Sequence, residues 1–219
     1  AKKPMLVTPN NVAPQLASEA RKLYPNAKIK LVNAISQKRK NIELENLKNN
    51  DYDLIVTTYT AFESMNVSQA LFANYCEKEI AQYEKVKQNL INSGEASKRD
   101  INNITHKIEK TTQKIKEYFD KVAKSDSRVF FDDLGTNMLL FDESQKLKNL
   151  PIITAQKNVR GISTAVSNRA IDAYMKIQHT KKQDQSKVVF ATGTPITNYI
   201  SDMYVLQRYL GSEELEKQG

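Results

Sequence analysis

The 219-residue chain has one cysteine, Cys76, and two histidines, His106 and His179. One thiol excludes an internal disulfide framework and a cysteine-rich zinc site. Two histidines far apart in sequence argue against a histidine-based metal centre. No apolar run approaches the roughly 18–20 residues of a membrane span, so a transmembrane protein is not expected. The first residues lack the charged, apolar, then small-residue order of a secretory leader. Glycine is scarce, at six residues. Nowhere is there a G-x-x-x-x-G-K-[S/T] stretch, so no glycine-rich loop is present to cradle phosphates with backbone N–H groups and a lysine. The expectation is a cytoplasmic, metal-poor protein with no membrane partner.

What is present is an ordinary supply of core residues: 40% hydrophobic and 26% charged. The length suits one large domain or two small ones. Thirty-three Lys+Arg against 25 Asp+Glu leave a net charge of +8. A basic surplus favours polyanions such as nucleic acid. From Lys157 to Lys187 there are seven basic residues and only two acids, Asp172 and Asp184. The same pattern also describes a solvated lysine-rich face.

Apolar runs alternate with amphipathic stretches. Met5–Thr8, bounded by Pro4 and Pro9, reads as a strand. Asn10 or Asn11 is placed to cap a following helix whose buried stripe is Leu16, Ala20 and Leu23. Ile29–Val32 reads as a second strand, a helix near Ile42, Leu44 and Leu47 follows, and Asp53–Thr58 is a third strand. Met138–Phe141 and Val188–Ala191 continue the series. A helix falls around residues 165–178, and another spans about 198–209, stopped by Gly211. This alternation implies an α/β fold with a parallel sheet covered on both faces.

The pattern changes between Ser68 and Lys124, where there is no proline and one glycine, Gly94. Apolar positions recur in three- and four-residue steps through Cys76, Ile80, Tyr83 and Leu90, then through Ile101, Ile104, Ile108 and Val122. Such a 3.5-residue period makes a narrow seam. Gly94 suits the left-handed end of one helix, and Ser97 with Asp100 suits the capped start of the next. We expect two long antiparallel helices zipped along one seam, with Cys76 in the seam and His106 on the surface. The expected organisation is 1–67 and 129–219 as two parts of one lobe, with 68–128 as an inserted hairpin.

Two segments carry chemistry. Leu139-Leu140-Phe141-Asp142-Glu143 is a strand ending in two acids, at the sheet edge where α/β proteins bind ligands. Nucleoside triphosphate hydrolysis uses such a pair: one carboxylate holds Mg²⁺ through water, and the next orients and deprotonates the attacking water. An acidic strand end without chemistry has the same sequence. Ala191-Thr192-Gly193-Thr194-Pro195 follows another strand, and its small hydroxyl residues suit a loop that approaches and hydrogen-bonds the acids. An ordinary strand-to-helix turn is the alternative.

Asp142-Glu143-Ser144-Gln145-Lys146-Leu147-Lys148-Asn149 resembles motif II of Swi/Snf-type superfamily-two ATPases, commonly D-E-G/A-H-x-L-K-N. Val189-Phe190-Ala191-Thr192-Gly193-Thr194-Pro195-Ile196-Thr197-Asn198 resembles their motif III. Tyr52–Tyr59 is similar to the Y-D-x-x-I-T-T-Y stretch between motifs, and Leu6–Asn11 resembles motif Ia. The resemblance implies an incomplete RecA-like parallel sheet with flanking helices and an inserted antiparallel helical hairpin. It implies that Asp142 and Glu143 are catalytic, with Mg²⁺ held by Asp142 through water. Gln145, Thr192, Gly193 and Thr194 would couple hydrolysis to motion. Pro9, Asn10, Asn11, Thr57, Thr58 and Tyr59 would line a nucleic-acid track, whose phosphate contacts position a strand without reading sequence.

Gln145 departs from the family's usual His. Residues 158–161 resemble a segment of large helicase proteins of bacterial phages and mobile elements, some of which carry an adenine-specific DNA methylase domain. The resemblance therefore implies a fragment of the first motor lobe of an ATP-dependent DNA helicase or translocase. ATP and Mg²⁺ would be cofactors of the parent, with none bound by this piece alone. Double-stranded DNA and a second RecA-like lobe would be partners, with a protein partner at the hairpin. A non-enzymatic DNA- or protein-binding module, and a coiled-coil chromosome-maintenance ATPase, are the alternatives. Residues 161–165 partly match a nucleophile elbow but lack its last glycine and a supporting His.

Overall fold

The computed structural model describes residues 2–94, 97–123, 128–150, 167–196, 199 and 201–217. Five strands form one sheet: β1 (Met5–Thr8), β2 (Ile29–Val32), β3 (Leu54–Thr58), β4 (Met138–Asp142) and β5 (Lys187–Ala191). Their order is β2-β3-β1-β4-β5 and every pairing is parallel. The fold is α/β, as the alternating apolar runs implied. The inner strands β1, β3 and β4 are largely buried and read as near-continuous β-branched and aliphatic runs, while the edge strand β5 alternates exposed and half-buried residues.

Neighbouring residues on β3 sort to opposite faces. Val56 packs with Ala13 and Ala17 of α1 (Ala13–Leu23). Ile55 joins the larger core on the other face. That core receives Leu44 and Leu47 of α2 (Lys40–Asn49), Phe62 of α3 (Tyr59–Ser64), and Ala170, Ala173 and Ile177 of α6 (Asn168–Lys181). Val205 and Tyr209 of α7 (Ser201–Lys217), which breaks at Gly211, complete it. The chain leaving β1 thus turns to one face, while the chains leaving β3 and β4 turn to the other. This reversal is a topological switch point, where α/β sheets open a crevice at their carboxyl edge.

Aromatic contacts, most of them edge-to-face, run through the larger core. Phe141 lies 5.5 Å from Phe62 and 5.4 Å from Phe190. Phe190 is 5.5 Å from Tyr209, which is 5.6 Å from Tyr174. Lys176 is fully buried among them: its Nζ donates to Asp172 Oδ2 and to the Phe62 carbonyl, each at 2.6 Å.

Between β3 and β4 lie α4 (Gln69–Ser93) and α5 (Lys98–Ala123), packed against each other as an antiparallel pair. Ser68 caps α4, and Gly94 ends it in the left-handed region at φ 68°. The Ser97 hydroxyl accepts from the Asp100 amide, and Asp100 Oδ2 accepts from the Ser97 amide, the reciprocal bonding of a capping box. Cys76 and Ile104 are buried in the seam, and the His106 side chain is exposed. The first turns of α4 dock on the body, where Tyr75 meets Tyr174 at 6.0 Å and Glu79 lies 3.9 Å from Arg208.

Two local expectations change. Neither Asn10 nor Asn11 caps α1; its N-cap is Val12, with no side-chain cap bond, and Pro9 O accepts from the Val12 and Ala13 amides instead. Of the expected stripe, Leu16 packs against the sheet beside the fully buried Ala13 and Ala17, while Leu23 is 74% exposed. Small side chains let this helix lie close to Val56, which turns Leu23 away from the sheet. Likewise Ile42 on α2 faces outward, and Leu44 and Leu47 face the core. The helix expected at 165–178 runs to Lys181 from a Ser167 cap.

Candidate functional site

All five strands end on the same edge, and the site lies where β1, β3 and β4 finish. Asp142 is the last residue of β4 and pairs in register with Ala191 of β5. Across the switch point, the Thr8 hydroxyl at the end of β1 donates to Asp142 Oδ2 at 2.8 Å. Glu143 follows in the left-handed region at φ 56°, ψ 47°, a conformation that costs a residue with a Cβ about 1–2 kcal/mol. The chain then makes a 3₁₀ turn, Ser144–Leu147, that returns Gln145 toward Glu143.

Gln145 bridges the two segments singled out in the sequence. Its amide nitrogen donates to Glu143 Oε2 in a short hydrogen bond. Its amide oxygen accepts from the Thr192 hydroxyl at 2.6 Å. Thr192 Oγ1 in turn accepts from the Thr194 amide at 3.1 Å. The acidic strand end and the threonine-flanked turn are thereby joined by one side chain. An imidazole at position 145 offers one donor and one acceptor when neutral, and an amide offers the same pair. Gly193 and Thr194 are exposed, and a Cβ added at Gly193 would meet open space.

The residues expected along a nucleic-acid track separate into two groups. Asn10 and Asn11 are exposed and Pro9 is half-buried, at the turn leaving β1. Thr57, Thr58 and Tyr59 are buried, so their side chains do not face a track. Each hydroxyl is engaged internally. Thr57 donates to the Val32 carbonyl at 3.1 Å, and Thr58 donates to the Asn33 carbonyl at 2.8 Å. Thr58 also caps α3 by accepting from the Ala61 amide. Tyr59 donates to the Asp142 carbonyl at 2.8 Å. Their physical task here is to fix the end of β3 and brace the acidic turn.

Sequence reasoning missed Thr8, which closes the apolar run of β1 as Asp142 closes that of β4; that parallel was the available signal. It also missed Tyr209, whose buried hydroxyl lies 3.1 Å from the Leu147 carbonyl and 2.9 Å from the Ala170 carbonyl. Burial pushes its phenol pKa far up, so the group stays a donor. It ties α7 to the 3₁₀ turn that carries Gln145. Thr197, Asn198 and residues 158–165 lie outside the described residues.

Among the described residues, no group of three or more His, Cys, Asp or Glu is placed to hold a metal. A half-buried carboxylate beside a threonine hydroxyl supplies hard oxygen donors. Such a set fits Mg²⁺ held mainly by water and phosphate, and not a protein cage. No described helix is long and apolar enough to cross a membrane.

None of the curated proteins compared with the sequence matches it. A family model described as "Probable helicase domain" matches residues 1–219, the whole chain, which therefore belongs to that helicase-domain family.

Proposed function

We propose that this helicase-related domain is part of the first motor lobe of a Swi/Snf-type, ATP-dependent DNA translocase or helicase. The observation that supports the reading best is the hydrogen-bonded line from Glu143 through Gln145 to Thr192, at the carboxyl edge beside the switch point. In this reading Asp142, steadied by Thr8, would hold Mg²⁺ through water. Glu143 orients the attacking water and accepts its proton. The bound metal would neutralise charge on the β- and γ-phosphates. Gln145 and Thr192 sense whether Glu143 is engaged and pass that state to the exposed Gly193–Thr194 turn. Asn10 and Asn11, with Pro9, face the backbone of double-stranded DNA.

No G-x-x-x-x-G-K-[S/T] stretch occurs in the sequence, and in this reading that loop and the arginine of a second RecA-like lobe are supplied by other parts of the motor. Absence of an arginine finger alone costs about 10³–10⁵ in rate in related phosphoryl transfer. This chain by itself is expected to turn over ATP negligibly. In this reading the hairpin meets a protein partner, and the resemblance of residues 158–161 points to a cytoplasmic protein of bacterial or phage origin.

The test is ATP hydrolysis by the motor with phosphate loop and second lobe in place, with and without duplex DNA. DNA-stimulated turnover is expected, and DNA-independent turnover or none refutes the reading. In filter binding, Asn10→Ala with Asn11→Ala should weaken DNA uniformly across sequences, and steeply rising salt should abolish binding by the wild type. Sequence-selective loss would contradict backbone contact.

A further inference from the structure

Tyr59 opens α3 directly after β3, yet its hydroxyl acts two strands away. β1 lies between β3 and β4 in the sheet. The side chain crosses the end of β1 and donates to the Asp142 carbonyl at 2.8 Å, with the Glu143 carbonyl at 3.4 Å. These two carbonyls flank the one residue of the acidic pair whose backbone is left-handed, Glu143.

The ring is as firmly held as the hydroxyl. It is 4% exposed and packs 6.4 Å from Phe141. Two cations lie over it: Lys146 Nζ at 5.9 Å and the Arg169 guanidinium at 5.8 Å. Arg169 is itself fixed by a short ion pair to Glu63 on α3. A phenol is protonated at neutral pH, so the hydroxyl acts as a donor to the Asp142 and Glu143 carbonyls.

We propose that Tyr59 is a positioning residue that locks Glu143 in its left-handed conformation, and so fixes where the Glu143 carboxylate points. The inference rests on the reading of Glu143 as the carboxylate that orients the attacking water. A backbone strained at one residue persists only where the surroundings over-determine it. Here the determinants include the tyrosine hydroxyl on the Asp142 carbonyl, the Lys146 amide on the Glu143 carbonyl at 3.1 Å, and the glutamine on the carboxylate.

Tyr59→Phe keeps the ring and removes only the donor. In the complete motor at saturating DNA, we expect kcat to fall about tenfold or more, with KM for ATP within twofold and the thermal midpoint nearly unchanged. Wild-type kcat in Tyr59→Phe overturns the proposal. So does an equal loss in Tyr59→Leu and Tyr59→Phe accompanied by a large drop in midpoint, which marks mere packing. Glu143→Gln is the control: full turnover in that variant sinks the hydrolytic reading and leaves Tyr59 to be judged by a second measurement. That measurement is amide hydrogen exchange on the 219-residue chain, where Tyr59→Phe should speed exchange at 143–146 about fivefold or more while β2 is unaffected. Unchanged exchange overturns the proposal. If Tyr59→Phe folds poorly, Glu143→Gly in the same chain, which adopts the left-handed backbone without strain, should restore folding. Failure to restore it is also an overturning result.

Discussion

Replacing Lys176 with Met tests how the body under the site is held. Lys176 is 0% exposed, and its Nζ donates to Asp172 Oδ2 and the Phe62 carbonyl at 2.6 Å each. It also sits 4.4 Å above the Phe62 ring and 5.6 Å from that of Phe131. Methionine fills a similar volume but strands the Asp172 carboxylate and leaves the Phe62 carbonyl, in the last turn of α3, without its cation. Removing one partner of a buried pair costs about 3–5 kcal/mol. The Asp172 side chain retains 20% exposure, which places the expectation at the lower end, near 3 kcal/mol. The loss depends on pH with a definite sign. Burial pushes the Asp172 carboxyl up to about 6, against the pull of Lys176. As pH falls through 6, the folded chain takes up a proton that the unfolded chain accepts only near 3.8, so this group adds stability across that window. Without Lys176 the folded value rises further, so the variant gains more than the wild type on acidification. Urea denaturation at pH 7.5 and pH 5.0 should show the deficit at pH 7.5 shrinking at pH 5.0. A deficit under about 1 kcal/mol at pH 7.5, or one that grows at pH 5.0, refutes the argument.

Gln145→Ala and Thr192→Ala remove two ends of one hydrogen bond, so their effects on stability should be non-additive by about 0.5–1.5 kcal/mol in a double-mutant cycle; strict additivity would mean that the link is not formed. Phe141→Ala opens the fully buried centre of the aromatic contacts and should cost about 3–5 kcal/mol in denaturant titration. Leu23→Ser, at 74% exposure, should stay within about 0.5 kcal/mol of wild type, whereas a larger loss would place Leu23 back in the helix stripe.

The strands were legible because each is a short apolar run, and β1, β2 and β4 are closed by Pro, Asn or an acid. The hairpin was legible because a seam of 3.5-residue period and the Gly94 and Ser97 caps are local features. The α1 interface was not, because hydrophobicity favours Leu23 over Ala13 and Ala17, while close packing on Val56 rewards small side chains. Thr57, Thr58 and Tyr59 were placed on a nucleic-acid track by the family resemblance, and their burial is not visible in the sequence. Only the register of β2 beside β3 shows that the carbonyls of Val32 and Asn33 receive two of their hydroxyls. Lys176 is the same lesson in reverse: a lysine in a basic stretch reads as solvated, and its burial depends on Asp172 one turn earlier and a carbonyl 114 residues away. At the site, the residue types of the acidic pair and the threonine turn were plain, but their link through Gln145 required the left-handed turn at Glu143, which no local sequence preference announces.

Under the proposed function, Glu143 would orient and deprotonate the attacking water at the end of β4. The most direct measurement is single-turnover ATP hydrolysis by the complete motor on DNA, comparing wild type with Glu143→Gln, with nucleotide affinity measured in parallel. The account predicts a rate about 10²–10⁴-fold lower with affinity changed only a few-fold. An unchanged rate, or a loss wholly explained by weaker nucleotide binding, would contradict it.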